Sequence, residues 1–337
     1  MKLNFKYLLL LIPSALAIDS NAQTGSNADQ KRIADSTLNL YRREAAFRTP
    51  TLRQVVISTD LISSSKVKSE LLGTPLLEGK LKQIRMNALV NLPLKRWGKN
   101  SLSSSFSMSR QHFELTDIKA LQPQTSTANS KTDKLAVGFS INYTRLDSLF
   151  GTQVVYMASM SGLTGRGDAI QRLNWLGGVM FTLTQQADRS SSIGFLINID
   201  PSINVPFVPV YTYWRKYQNN IELNINLPEQ VSLRKPLGNT MAATLGTSFS
   251  GSYSFFKFDQ PGIPNYANFS SLELKTGLGI EKRFGKIVMF GLNAGILSPI
   301  QSRMFGTSEQ SKKYFVKNDL KSSSYLNFTL SLLPFIK

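Results

Sequence analysis

Apolar residues recur at every second position from about residue 52 to the end of the chain. In residues 272–297, Leu272, Leu274 and Leu278 alternate with charged residues and glycines, and the pattern resumes after the charged break at 282–286. A period of two belongs to a β-strand, whose successive side chains point to opposite faces. The sequence therefore predicts an all-β chain of antiparallel strands, each with one apolar face and one small or polar face.

The polar face of these strands distinguishes a soluble sheet from a sheet in lipid. It consists mostly of Ser, Thr, Gly and Asn, while most charged residues fall in turns and loops. The strands reach the ~9–11 residues that cross a bilayer when tilted, and short turns alternate with longer loops, as in outer-membrane barrels. Because only a closed barrel satisfies β backbone in hydrocarbon, we predict a transmembrane antiparallel β-barrel. The alternative is a soluble secreted β-sandwich, which also alternates.

The alternating segments predict fourteen strands, an even number that places both chain termini in the periplasm. Two segments are weak, 206–216 because of Pro206 and Pro209, and 230–234 because it is short; without them the count is twelve. The predicted strands lie near 52–61, 82–94, 101–114, 134–145, 153–162, 170–184, 191–200, 206–216, 220–227, 230–234, 239–256, 270–282, 287–298 and 322–333. The longer polar stretches, expected to be extracellular loops, are 63–80, 116–132, 162–169, 259–268 and 299–319.

The first 22 residues have the organisation of a secretory signal peptide. Two lysines precede a short apolar segment, and small residues follow it. Cleavage after Ala17 or after Ala22 fits the small-x-small rule, and we prefer Ala22. The domains predicted are thus a signal peptide at 1–22, a periplasmic extension at 23–50 and an outer-membrane barrel at 51–337. Within the extension, Ala34, Leu38, Tyr41 and Ala45 have helical spacing, which suggests a short helix or plug, with a mobile leader as the alternative.

Charge and cysteine content limit the environment and the partners. The chain has no cysteine, which excludes a disulfide framework and a thiolate metal site. Its formal net charge is +18, an excess that favours polyanionic neighbours. For an exported chain we predict outer-membrane lipid, lipopolysaccharide phosphates or small anionic solutes as partners, and no nucleic acid. The alternative is that the lysines and arginines only solvate turns and loops.

Aromatic residues near strand ends are expected to form interfacial girdles; they are Tyr143, Trp175, Trp214, Tyr253 and Phe255. The whole pattern from residue 50 to 337 resembles bacterial outer-membrane β-barrel proteins. Within it, FVPVYTYWRKYQNNIELNINLP (207–228) resembles an uncharacterised barrel family, a domain of unknown function, which implies no activity. The chain lacks the Asn-Pro-Ala plug motif of a long-chain fatty-acid transporter. Outer-membrane barrels are recognised by the assembly machinery through a C-terminal aromatic, and here that residue would be Phe335.

Catalytic and metal chemistry have weak support in the sequence. The one histidine, His112, would need a serine within hydrogen-bond reach to act as the base of an outer-membrane hydrolase or acyltransferase. Ser107 and Ser109 have the opposite parity, so they should point to the other face of the sheet. No metal-ligand spacing or nucleotide fingerprint occurs. We therefore predict no enzyme activity and no cofactor.

In the predicted barrel, the residues at the polar alternate positions of each strand face the lumen. Seven charged residues are predicted to face it: Arg85, Arg172, Glu222, Arg234, Glu273, Lys275 and Glu281. Charged rings inside a barrel set ion selectivity, so the first hypothesis is a narrow, mildly anion-preferring channel or transporter for small solutes. The second is a structural or adhesive barrel that binds lipopolysaccharide or a partner protein through its extracellular loops. Transported solute and oligomeric state do not follow from the sequence.

Overall fold

The computed structural model describes residues 42–123, 125–166, 169–200, 206–259 and 261–335. The predicted signal peptide at 1–22 and most of the predicted extension at 23–50 lie outside these residues. Both remain predictions. No helix in the described part of the chain is long and apolar enough to cross a membrane.

The described residues form fifteen antiparallel β-strands that belong to one sheet. In chain order they are β1 (Val55–Leu71), β2 (Thr74–Trp97), β3 (Asn100–Ala120), β4 (Ser130–Leu149), β5 (Thr152–Thr164), β6 (Arg172–Gln185), β7 (Arg189–Ile199), β8 (Phe207–Lys216), β9 (Glu222–Leu227), β10 (Gln230–Leu237), β11 (Met241–Lys257), β12 (Tyr266–Phe284), β13 (Val288–Gly306), β14 (Tyr314–Leu320) and β15 (Ser323–Leu332). From β1 to β14, each strand pairs with the next one in sequence, as a succession of hairpins.

The sheet closes on itself. Both β14 and β15 lie between β13 and β1, so they are two parts of one interrupted strand. Leu332 is opposite Val55 of β1 on one side and Val288 of β13 on the other. The wall is therefore a closed barrel of fourteen strands, which confirms the predicted fold class and the higher of the two predicted strand counts.

The barrel has an apolar outside and a polar inside. Its exposed large side chains include Ile57, Phe106, Phe139, Trp175, Ile197, Leu245, Leu278, Phe290 and Leu330, which have the outward parity of their strands. The buried residues include a large share of polar and charged ones, among them Asp60, Arg85, Gln111, Ser140, Asn142 and Glu273. A soluble protein buries apolar area and leaves charged groups in water. The reverse arrangement is the one that a bilayer requires of a barrel.

The two ends of the barrel differ. The termini end carries both ends of the barrel chain and the tight turns, such as Gly98 between β2 and β3. The loop end carries the longer connections. There the prediction that 63–80 is a loop is wrong, because β1 and β2 continue through it as one ribbon with a turn at Leu72 and Gly73, whose φ values are 51° and 81°. Cross-strand ion pairs stabilise the ribbon, and Lys68 Nζ lies 2.8 Å from Glu78 Oε1.

The predicted loop at 299–319 is also largely strand, because β13 extends to Gly306 and β14 begins at Tyr314. The two weak strands exist, as β8 and β10. Proline is tolerated in β8 because β9 pairs with it only up to Tyr211, so Pro209 lies on a free edge of the strand. The hairpin of β9 and β10 is short and ends opposite Ser248 of β11.

Beyond Ser248, β11 has no β10 partner but stays paired with β12 up to Lys257, and it leans against the inner surface of the barrel. The Gln111 side chain on β3 donates to the Tyr253 carbonyl at 3.0 Å. Tyr253 and Phe255 have outward parity but are only 8% and 7% exposed, because they pack on Ala136 of β4 and Leu163 of β5. The expectation that Tyr253 and Phe255 belong to an interfacial girdle is therefore wrong. The short neighbouring hairpin leaves one edge of β11 unpaired, and leaning inward gives that edge hydrogen-bond partners such as Gln111.

A helical segment at 42–48 and a 3-10 turn at Pro50–Leu52 precede the barrel. Ala46 and Phe47 pack inside the termini end against Met289 of β13 and Leu333, and Leu52 covers this cluster. The part of the predicted extension that is described is thus helical and lies in the mouth of the barrel.

Candidate functional site

The candidate site is the barrel interior, where charged and aromatic side chains from several strands meet in three layers. The middle layer contains the most buried charges. Arg85 on β2 and Glu273 on β12 form a bidentate pair, with Nη1 2.5 Å from Oε2 and Nη2 2.6 Å from Oε1. They are 3% and 1% exposed. Gln83 accepts from Arg85 Nη2 at 2.6 Å, and the Ser271 hydroxyl donates to Glu273 Oε1 at 2.5 Å, so both charged groups are extensively hydrogen-bonded.

A second pair continues this layer toward β1. Lys275 Nζ on β12 donates to Asp60 Oδ2 at 2.8 Å, and the Asn327 amide donates to Asp60 Oδ1 at 2.8 Å. The Lys275 ammonium also lies 5.5 Å from the ring centroid of Tyr325. These contacts join β12, β15 and β1, which lie on one side of the barrel.

The termini layer is centred on Arg53, which precedes β1 and is 1% exposed. Its Nη1 lies 2.7 Å from Oε1 of Glu281, and its Nη2 lies 2.9 Å from the other carboxylate oxygen. It also donates to the Ser331 hydroxyl and to the Ala46 carbonyl, both at 3.2 Å. One buried guanidinium therefore holds the helical segment, β12 and β15 together.

The helical segment is fixed to the wall by further charged groups. The Phe47 ring lies between the guanidinium groups of Arg234 and Arg283, each 4.8 Å from its centroid. Arg283 pairs with Glu44 of the segment at 2.6 Å, and Arg234 pairs with Glu222 at 3.2 Å. Cation–π contacts and an ion pair thus close the termini end around one aromatic side chain.

The loop layer is formed by the inward part of β11. Arg172 on β6 forms a buried ion pair with Asp200, and its guanidinium carbon lies 4.5 Å from the Tyr253 ring centroid. Above it, Phe113, Phe256 and Phe269 pack edge to face, with Phe113 and Phe269 centroids 5.6 Å apart. Aromatic rings and one ion pair therefore fill this level of the interior.

The interior charges balance. Five ion pairs are Arg53–Glu281, Asp60–Lys275, Arg85–Glu273, Arg172–Asp200 and Arg234–Glu222. Each cation has one carboxylate partner, so these five pairs add no net charge to the interior. The net charge of +18 of the full chain does not come from them.

The structure brings each of the seven sequence-predicted charged residues into one of these five pairs; they are Arg85, Arg172, Glu222, Arg234, Glu273, Lys275 and Glu281. Sequence reasoning missed Arg53, Asp60 and Asp200. Asp60 has the parity of inward residues in VVISTDL and could have been identified from it. Arg53 precedes the first strand and Asp200 follows the last residue of β7, so neither position has a parity from which its direction could be inferred.

One part of the interior wall is apolar. Met180, Leu196, Val208 and Val210 on β6, β7 and β8 form a buried cluster inside the barrel. Val155, Met157 and Leu176 pack against it. The interior therefore has a charged side on β1, β2 and β12 and an apolar side on β6–β8.

His112 contacts a carboxylate on the neighbouring strand and not the serines of its own strand. Its Nδ1 lies 3.2 Å from Asp133 Oδ2 on the neighbouring strand, near the loop end. The Ser109 hydroxyl donates to Asn87 at 2.8 Å instead. In the described part of the chain no three His, Cys, Asp or Glu residues are grouped as a metal ion would need. The histidine is thus part of a cross-strand polar pair.

Solved structures with a similar fold include outer-membrane barrels. The COG4313 outer membrane channel from Pseudomonas putida F1 has 7% identity and a TM-score of 0.33, over 83% of this chain and 95% of that chain. The translocator domain of the autotransporter NalP from Neisseria meningitidis has 12% identity and a TM-score of 0.31, over 91% and 98%. The Pseudomonas putida toluene transporter TodX has 9% identity and a TM-score of 0.33, over 83% and 89%. These likenesses are too distant to carry a function to this chain.

No curated protein matches the chain in sequence. A family model does match, over residues 50–332, and its description is Domain of unknown function (DUF6268). The match covers the barrel from the 3-10 turn to the end of β15. It confirms the resemblance to an uncharacterised barrel family: the chain belongs to the DUF6268 family.

Proposed function

We propose that the protein is a narrow outer-membrane channel or transporter for small polar solutes. The observation that carries this proposal is the middle layer, where Arg85, Glu273, Lys275 and Asp60 form two buried ion pairs on the β12, β1 and β2 side of the barrel interior. Ionisable groups inside a membrane-spanning structure are energetically costly, and they commonly line solute or ion pathways. A barrel that served only as a scaffold could fill the same space with apolar side chains at lower cost, as it does on β6–β8.

We propose that the lumen is narrowed at three levels in the resting state. The helical segment lies in the termini end, the two ion pairs project into the middle from the β12, β1 and β2 side, and the inward part of β11 lies in the loop end. On this proposal, passage of a solute requires these side chains to rearrange, unlike passage through an open porin. Ion pairs suit this role because a polar solute or water can replace one partner's hydrogen bonds as the pair opens.

Solute preference follows from the position of the charges. The five interior pairs are neutral, so they favour polar solutes of either sign. The positive excess of the chain lies outside these pairs, and it raises the local concentration of anions at the barrel mouths. We therefore propose a mild preference for anions that arises at the entrances and falls as salt screens it.

The outer membrane is the proposed location, with export by a cleaved signal peptide at 1–22. The apolar outer surface supports this location because it needs lipid, and a chain without cysteine is compatible with the envelope. Assembly by the barrel machinery would use Phe335, which is 45% exposed just beyond β15.

Single-channel recording in planar bilayers tests the proposed function. We expect small, infrequent openings for the wild type and more frequent or larger ones for the double variant Arg85→Gln/Glu273→Gln, which keeps both sides polar but removes the ionic attraction. The matched control is Lys68→Gln/Glu78→Gln, an ion pair with exposed partners on the β1–β2 ribbon. Equal silence of all three proteins across salt and pH would contradict a channel.

A structural or adhesive barrel is the second candidate. The observation that favours it is that the β1–β2 ribbon continues to the loop end with charged side chains exposed. Such a ribbon could bind lipopolysaccharide or a partner protein. Lys68→Gln/Lys80→Gln, which removes two exposed cations of the ribbon, should then weaken binding or an envelope phenotype without changing barrel assembly, and an unchanged phenotype would reject this candidate.

A further inference from the structure

The helical segment at 42–48 places one aromatic ring and one carboxylate against two arginines of the termini end. The centroid of the Phe47 ring lies 4.8 Å from the guanidinium carbon of Arg234 on β10 and 4.8 Å from that of Arg283 on β12. Glu44 Oε1 lies 2.6 Å from Arg283 Nη1. Two cations from separate strands therefore converge on the position that the Phe47 ring occupies.

Arg234 has hydrogen-bond donors that the protein does not use. It is 5% exposed, and its Nη1 donates to Glu222 Oε2 at 3.2 Å. Its Nε and Nη2 are buried, and neither of them donates to an acceptor in the described ranges of the chain. Arg53 in the same layer differs, because its Nε, Nη1 and Nη2 all have acceptors. A buried donor without an acceptor is costly, so the unused side of Arg234 favours a ligand that accepts hydrogen bonds.

The contacts of Arg283 can be exchanged for those of a ligand. The side chain of its carboxylate partner, Glu44, is 42% exposed, so dissolved anions can reach this pair. Arg283 Nη2 donates to the Asn239 carbonyl at 2.9 Å, a contact that does not involve the helical segment. When the segment leaves, Arg234, Arg283 and Glu222 together carry one net positive charge, which attracts an anion.

We propose that Arg234 and Arg283 bind the carboxylate or phosphate group of a small solute. Without the solute, Glu44 and Phe47 occupy this site as an internal substitute, because one supplies a negative charge and the other supplies the face of an aromatic ring. The solute displaces both side chains, and the helical segment then leaves the mouth of the barrel. Arginine binds carboxylate and phosphate through two parallel hydrogen bonds, which the ring does not offer.

This site adds a substrate class to the proposed channel, so its role in passage rests on the proposed function. The binding step does not need a lumen that conducts, and it is measured without a membrane. A ligand shifts an equilibrium between two states only by the difference in its affinity for them. Because the site is available only after the segment has left, an anion that binds there must raise the fraction of protein with a released segment.

Limited proteolysis of the full-length protein in a nonionic detergent measures release of the segment. Trypsin cleaves the segment after Arg43, and the cleavage rate is followed against the concentration of sodium phosphate or sodium succinate. Sodium chloride at equal ionic strength is the reference, so that general screening of ion pairs cancels. We expect at least one of the two probes to accelerate cleavage, and the lower half-maximal concentration identifies the preferred group. Equal cleavage rates in all three salts would overturn the proposal.

A charge-neutral variant separates this site from general attraction of anions. Arg234→Gln/Glu222→Gln removes the buried cation together with its partner, and we expect its half-maximal anion concentration to rise roughly tenfold, since charge-assisted hydrogen bonds are lost. The matched control is Lys99→Gln/Asp147→Asn, a charge-neutral change in a 2.8 Å ion pair at the same end of the barrel. The control should respond like the wild type, and heat-induced gel shifts verify that both variants fold. Equal responses of the two double variants would mean that Arg234 is not part of an anion site.

A variant of the helical segment tests the internal substitute. Phe47→Leu removes two cation–π contacts of the closed state without changing the charge, so we expect the half-maximal anion concentration to fall roughly fivefold. Phe290→Leu, at a 42% exposed position of the outer surface, is the control and should respond like the wild type. An unchanged or higher value for Phe47→Leu would overturn the proposal, because the ring would then not compete with the anion. Neither measurement involves conductance, so this proposal and the proposed channel can fail separately.

Discussion

The outer surface of this barrel carries apolar side chains that a soluble protein would bury, and its interior carries charged side chains that a soluble protein would expose. Outside, Leu278, Phe290 and Leu245 are 65%, 42% and 51% exposed. Inside, Arg85 and Glu273 are 3% and 1% exposed. The outer surface follows from one requirement, contact with lipid. Contact with lipid does not explain the composition of the interior. Apolar side chains would fill it at a lower free-energy cost, so its charged side is the part of the barrel that indicates function.

The largest expected effect comes from breaking a buried pair in the interior. Glu273→Leu leaves the Arg85 guanidinium buried without a counter-charge, which should lower the free energy of unfolding by about 3–5 kcal/mol. Urea titration followed by tryptophan fluorescence measures this change. The double variant Arg85→Met/Glu273→Leu should recover most of the stability, since no charge remains buried. A single variant as stable as the wild type would mean that water already reaches Arg85.

A somewhat smaller effect is expected on the outer surface. Leu278→Arg places a charge on the lipid-facing side of β12 and should lower stability in lipid by about 2–4 kcal/mol, with the largest values at the bilayer midplane. Refolding yield and urea titration in liposomes measure it. Leu72→Arg is the matched control, because Leu72 is 66% exposed at the ribbon turn, away from the apolar band. If both variants are equally tolerated, the outer surface is not in lipid.

A third variant tests whether the ring of Phe47 holds the helical segment in the termini end. Phe47→Leu keeps an apolar side chain but removes the ring between Arg234 and Arg283, where two cation–π contacts contribute about 0.5–1 kcal/mol each. We expect faster limited proteolysis of residues 42–48 while the barrel itself stays protected. Phe290→Leu on the outer surface is the control. No change in cleavage rate would show that the ring contacts do not hold the segment.

The smallest change in the free energy of unfolding is expected for an exposed ion pair on the β1–β2 ribbon, which belongs neither to the apolar outer surface nor to the interior. Lys68→Gln/Glu78→Gln removes an exposed ion pair from the β1–β2 ribbon, where such pairs contribute about 0.2–1 kcal/mol. Urea titration should therefore place this variant close to the wild type. A loss as large as that of Glu273→Leu would mean that this pair is not exposed to water in the folded protein.

The fold was largely predictable because alternate positions of each strand face two different environments, one apolar and one polar, and the residue types alternate accordingly. Ile141 and Asn142 are neighbours on β4, one 37% exposed on the apolar side and the other 7% exposed on the polar side. The strand ends were less predictable. Polar composition indicated a loop at 63–80, but outside a bilayer a ribbon is stabilised by backbone pairing and cross-strand charges, so polar residues do not end it.

The candidate site was predictable only in part. Parity identifies which charges point inward, but it does not identify the strand that supplies the partner, because Arg85 and Glu273 are 188 positions apart in the sequence. The inward course of β11 had no local signal either. It results from the shortness of the β9–β10 hairpin, which is a property of the neighbouring strands and not of Tyr253 or Phe255 themselves.

The contact of the outer surface with lipid can be measured most directly with single cysteines, since the chain has none. Spin labels at Ile141→Cys and Asn142→Cys in liposomes report collisions with oxygen, which concentrates in lipid, and with a water-soluble nickel complex. We predict strong oxygen broadening and little nickel broadening at 141, and little oxygen broadening at 142. Nickel broadening at 141 equal to that of a label on the ribbon turn at 72 would contradict a lipid-facing outer surface.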